Sequence, residues 1–79
     1  MELEIYGFRA KISRDSRYLI GKIPELHIQD QAKDLKELES ELKDAVSLVI
    51  NFIIANPKDA AKSFRVSVIR KVKVQPISA

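Results

Sequence analysis

Between Asp34 and Asn56 the sequence reads as one long helix, and no other feature of the chain restricts its fold as much. The Asp34 carboxylate can accept from the free N–H groups of a first helical turn, and Glu37, three residues on, completes the spacing of a capping box. Leu35, Leu38, Leu42, Ala45, Val49 and Phe52 then recur at steps of three and four, which lays one apolar stripe along the helix. Asn56-Pro57 closes it, because the residue before a proline is driven out of the α region. A helix over residues 34–55 is about 33 Å long at 1.5 Å per residue. In a chain of 79 residues such a rod must be covered by the remaining elements or by another chain.

Beyond Asp44 the helix changes character. Val46, Leu48, Ile50, Ile53 and Ile54 lie off the main stripe, so this half is apolar on several sides and is expected to be buried on several sides. The β-branched run also suits a strand, but the three-four stripe passes through it unbroken. The surplus positions Val46, Ile50, Ile53 and Ile54 are therefore assigned to an interface between copies, and a homo-oligomer is expected. At this size folding buries only about 60% of the unfolded chain's surface, which adds to the case for a covering subunit.

The segment before the helix reads as strands. Tyr6, Phe8, Ala10 and Ile12 alternate with Gly7, Arg9 and Lys11, the period of a half-buried strand over residues 3–13. Leu3 and Ile5 fall in the opposite phase, so either both faces are covered at that end or a bulge near Gly7 shifts the register. Arg14-Asp15-Ser16 is a polar break leading to a second strand over residues 17–23, which Pro24 ends because it cannot donate to a ladder. A short third strand is expected over residues 26–29. After the helix, Phe64, Val66, Val68, Val72 and Val74 alternate with Arg65, Ser67, Ile69, Lys71 and Lys73, which predicts a long last strand over residues 63–74. The expected fold is thus α+β: a single βββαβ domain over residues 1–79, with a three-stranded antiparallel meander, a right-handed crossover helix and a fourth strand parallel to one of the first three.

Composition removes most catalytic classes. The chain has no cysteine, so disulfides, thiolate metal sites and thiol nucleophiles are excluded. His27 is the only histidine, which excludes a two-histidine metal site within one chain and leaves a structural or solvated role as its ordinary reading. With only Gly7 and Gly21, no dinucleotide fingerprint or P-loop can form. No enzyme, cofactor or metal is expected. The most apolar run, Ala45 to Ala55, is too short to span a bilayer, and Met1 to Glu4 lack a secretory pattern. A cytoplasmic location without membrane contact is expected.

The net charge of +3 hides a division. Residues 24–57 carry seven acidic and three basic groups, whereas residues 58–79 carry six basic and one acidic. Glu25, Asp30, Glu37, Glu41 and Asp44 are candidates for holding a basic partner, although carboxylates at such spacings are also what a solvated helix face looks like. Arg65, Arg70, Lys71 and Lys73 on the last strand could neutralise phosphates of a nucleic acid. No aromatic is interleaved with them as in an RNA-recognition sheet, and the same lysines would serve an ordinary strand edge that discourages aggregation.

The run Tyr18-Leu19-Ile20-Gly21-Lys22-Ile23-Pro24-Glu25-Leu26, then Asp34-Leu35-Lys36-Glu37-Leu38, with Ala45-Val46-Ser47-Leu48 further on, resembles the HicB family of antitoxins. Those proteins show an alternating strand ending in Pro-Glu/Asp-Leu, a Thr-Leu-Glu-Glu-Ala helix start and an Ala-Leu-x-Leu stretch. Asp34 stands where the family has its capping Thr, Leu35 and Glu37 match, and Ala45 and Leu48 match in the helix interior. The likeness covers residues 4–55. The family's glycines after Pro-x-Leu and before the helix cap are replaced here by His27-Ile28 and Ala32-Lys33. The resemblance implies a partial RNase H-like βββαβ unit without nuclease activity, and a protein that neutralises HicA, a small basic RNA-cleaving toxin, or a solitary relative of such proteins. Only Gln75 to Ala79 follow the expected last strand, so an appended DNA-binding domain is not expected.

Overall fold

The structure is a computed structural model that describes residues 1–74. Four strands, β1 (Glu2–Ile5), β2 (Phe8–Asp15), β3 (Tyr18–Ile23) and β4 (Ile28–Ala32), form an antiparallel meander in the order β1-β2-β3-β4. Three helices follow, α1 (Leu35–Ala55), α2 (Pro57–Ser63) and α3 (Val66–Val74). The fold is α+β, with the strands preceding the helices.

The expected first strand is two strands. Tyr6 and Gly7 have φ of 49° and 86°, so both central residues of a two-residue turn are left-handed, and Ile5 pairs with Phe8 across it. Such a turn matches the right-handed twist of the strands it joins. The reversal explains the phase change of Leu3 and Ile5: neither a bulge nor a second cover is involved, because each strand keeps its own alternation. Phe8, Ala10 and Ile12 on β2 then share the inner face with Ile5 on β1. β3 stops at Pro24, which opens a 3-10 turn, and His27 in the left-handed region (φ 58°) redirects the chain. This turn uses up Leu26, so the next strand runs over Ile28–Ala32 rather than residues 26–29.

Helix α1 has the bounds its sequence sets. The Asp34 carboxylate accepts the Glu37 N–H at 2.8 Å, and at the far end Asn56 donates its N–H to the Phe52 carbonyl at 2.8 Å. Its buried line is Leu38, Leu42, Val46, Ile50 and Ile53, rotated from the expected stripe. Leu35 and Phe52 are exposed, and Ala45 and Val49 are half-buried. Gly21 sets the closeness of helix and sheet: a Cβ there would lie 2.8 Å from Leu42 Cδ1 and 3.4 Å from Leu38 Cδ1.

Residues 63–74 do not form a strand. Pro57, which lacks an N–H to leave unpaired, begins α2, and after Phe64 and Arg65 the chain turns into α3. Val68 and Val72, four apart, are buried, and four residues is both two strand repeats and about one helical turn. The positions that separate the two periods decide for the helix. Val66, in phase for the strand, is 65% exposed, while Ile69, out of phase, packs against the core. The parallel fourth strand and its right-handed crossover are thereby replaced by two helices. Val68 and Val72 join Ile5 and Phe8 in one core with α1, so both long helices cover the same sheet face. Among the described residues no helix lies over the opposite face, where Lys11 pairs with Lys22 and Lys22 with Gln29 across the strands.

Candidate functional site

Four of the five acidic candidates converge where α1 runs beside the edge strand β4. The pairing of Gly21 with Asp30 puts Asp30 on the helix-covered face, and its Oδ1 accepts the Gln31 N–H at 2.8 Å. Glu41 on α1 stands beside the Asp30 side chain, and Glu37 and Asp44 lie within a turn of it on either side. The hydrogen bond to Asp30, then the Asp30 charge, then partial burial and the charges of Glu37 and Asp44 hold the Glu41 pKa above its ordinary 4.5. Carboxylates crowded in this way share a site that favours cations. Among the described residues no group of three or more His, Cys, Asp or Glu is arranged to hold a metal ion, so the arrangement offers a surface potential rather than a metal centre.

The same helix face continues as apolar surface. Leu48, 71% exposed, lies one turn beyond Asp44, and Phe52, 40% exposed, one turn beyond Leu48. Sequence periodicity counted Phe52 in the core stripe and set Leu48 outside it. The available signal was angular, since Glu37, Glu41, Asp44 and Leu48 are spaced by three and four and share a side opposite the buried line.

Glu25 stands apart from these four. It sits in the 3-10 turn and pairs with Lys71 Nζ at 3.6 Å. The Lys71 ammonium also lies 4.8 Å from the centroid of the Phe8 ring, so this cation closes α3 onto the sheet. The four basic candidates therefore divide: Lys71 is engaged within the fold, whereas Arg65, Arg70 and Lys73 are exposed on or beside α3. His27 has a structural task. Its Nε2 lies 3.2 Å from the Ser63 carbonyl oxygen and its ring packs 5.5 Å from that of Phe64, tying the β3–β4 connection to the end of α2. A solvent-open groove of about 510 Å³ runs along this tie, with Lys62 and Arg65 at its rim.

Of the residues assigned to a subunit interface, Val46, Ile50 and Ile53 are 0%, 2% and 3% exposed within the chain itself. Their surplus disappears because α3 supplies a second wall that a lone sheet would not. Only Ile54, 56% exposed, keeps a free surface. No helix among the described residues is long and apolar enough to cross a membrane. Comparison with protein-family models, with curated proteins and with solved structures finds no match. The functional reading accordingly rests on the chemistry of this chain.

Proposed function

We propose that this chain is a non-enzymatic protein-binding module resembling a HicB antitoxin. In this reading it acts in the cytoplasm by covering the active site of a small basic RNA-cleaving toxin of the HicA type, or is a solitary relative of such proteins. The observation that carries the reading is the gathering of Asp30, Glu37, Glu41 and Asp44 around one helix face, continued by exposed Leu48 and Phe52. Negative charge beside an apolar patch suits a basic protein surface: the charge steers the encounter, and the apolar side chains provide the buried anchor. The α+β class with an antiparallel meander and a capped helix is shared with the family's expected unit, although α2 and α3 stand here in place of its last strand. The test is a titration with a small basic RNA-cleaving toxin of the HicA type. Reversing Glu37 and Glu41 to Lys should slow association at least tenfold without unfolding the chain, while reversing Arg70 and Lys73 to Glu should not weaken it.

The second reading is nucleic-acid binding. Its support is that Arg65, Arg70 and Lys73 are exposed and that no ion pair engages them among the described residues. Salt-sensitive binding of labelled RNA or duplex DNA, abolished by Arg70→Glu with Lys73→Glu and untouched by the Glu37/Glu41 reversal, would favour it.

A further inference from the structure

Helices α1 and α3 each present a face that is exposed except at Glu41, which is half-buried beside Asp30 of β4. On α1, Glu41, Asp44 and Leu48 follow at steps of three and four, on the side opposite the buried Leu42, Val46 and Ile50. On α3, Val66, Arg70 and Lys73 follow at steps of four and three, on the side opposite the buried Val68 and Val72. Each face is an exposed apolar residue at one end followed by two charges, about 10 Å of helix in all. Val66 and Leu48 are 65% and 71% exposed, and among the described residues no ion pair engages Asp44, Arg70 or Lys73.

The two faces are complements when read in opposite directions. Laid antiparallel, α3 of a second copy sets Val66 against Leu48, Arg70 against Asp44 and Lys73 against Glu41, because both series then step by four and by three. The apolar ends meet, and Phe52, one turn beyond Leu48, extends the patch against Val66. Both cations meet carboxylates. The crowding of Asp30, Glu37 and Asp44 around Glu41 means that a cation from outside relieves repulsion already present.

We propose that the chain self-associates head to tail, the Glu41–Asp44–Leu48 face of α1 in one copy receiving the Val66–Arg70–Lys73 face of α3 in the next. The contact is heterologous, so an open series keeps one free α1 face and one free α3 face, at its two ends, until it closes into a ring. About two helical turns bury less than a standard protein interface, which makes the association reversible and, being between charges, sensitive to salt. A basic partner on α1 competes with it, but the inference does not depend on the antitoxin reading.

Charge exchange tests it directly. One variant carries Glu41→Lys with Asp44→Lys, the other Arg70→Glu with Lys73→Glu, and masses are measured by light scattering on nuclease-treated protein at low and high salt. The mass of the natural chain should rise with concentration at low salt and return to that of a monomer at high salt. Each variant alone should stay monomeric, since like charges then face each other, and an equimolar mixture should regain the association of the natural chain. Leu48→Ser, which changes no charge, should weaken association several-fold with an unaltered melting curve, and it decides the matter if a charge variant fails to fold. A monomeric natural chain at every concentration, a variant that associates as the natural chain does, or a mixture that remains monomeric would each overturn the proposal.

Discussion

Asp30 on β4 and Glu41 on α1 bring two carboxyl groups together between the edge strand and the long helix. Two carboxyls can share a hydrogen bond only while one of them holds a proton, and this is the first reason the Glu41 pKa stands above 4.5. A carboxyl that binds its proton more tightly when folded than when unfolded favours folding at low pH. That contribution is fully present below the unfolded value and is lost as the pH rises through the folded one. Glu41→Gln, which keeps a donor toward Asp30, should therefore be at least as stable as the natural chain at pH 7 and show no advantage below pH 4.5. Because the group faces solvent the difference is small, so it is best followed by carboxyl NMR titration. Asp30→Asn should return the Glu41 pKa toward its ordinary value.

Gly21 is where the sheet lets α1 approach. In Gly21→Ala the new methyl meets Leu42 Cδ1 at 2.8 Å, and a buried leucine can yield only in part. The expected cost is about 1 kcal/mol for alanine and about 3 kcal/mol for valine, within the range for overpacked cores. Urea denaturation with an unchanged slope and a lowered midpoint would show it. A valine variant as stable as the natural chain would mean that the helix does not rest on the sheet at this point.

The change of residues 63–74 from an expected strand to α3 has a direct test in Val66 and Val68. On a strand the two share a face, but on α3 Val68 is buried and Val66 is exposed. Val68→Ser should cost about 1–3 kcal/mol through lost packing and a hydroxyl without a partner. Val66→Ser should move stability by no more than about 0.5 kcal/mol. Equal costs at the two positions, read from thermal melts, would restore the strand.

These residues also show where sequence was sufficient. The bounds of α1 were legible because a capping carboxylate at Asp34 and the Asn56-Pro57 pair act locally, through backbone groups a few residues away. The first hairpin was hidden because its left-handed turn begins with Tyr6, a residue type that rarely takes that conformation, rather than Asn or Asp. The last segment was misread because Val68 and Val72 satisfy two periods at once, and only Val66 and Ile69 separate them. Four of the acidic candidates were legible as types, yet their convergence was not. The contact of Asp30 with Glu41 depends on the register of β4 and the rotation of α1, and both of these are set by tertiary packing. That rotation also moved Val46, Ile50 and Ile53 from a supposed subunit interface into the core.

The proposed role of the acidic and apolar face of α1 is to cover a basic RNA-cleaving partner. The most direct measurement is RNA cleavage by a small basic toxin of the HicA type, with the chain added at equal concentration. Cleavage should stop with the natural chain and continue with Glu41→Lys and Asp44→Lys, while Arg70→Glu with Lys73→Glu protects as well as the natural sequence. Undiminished cleavage in the presence of the natural chain, or equal protection by the Glu41/Asp44 variant, would contradict the account.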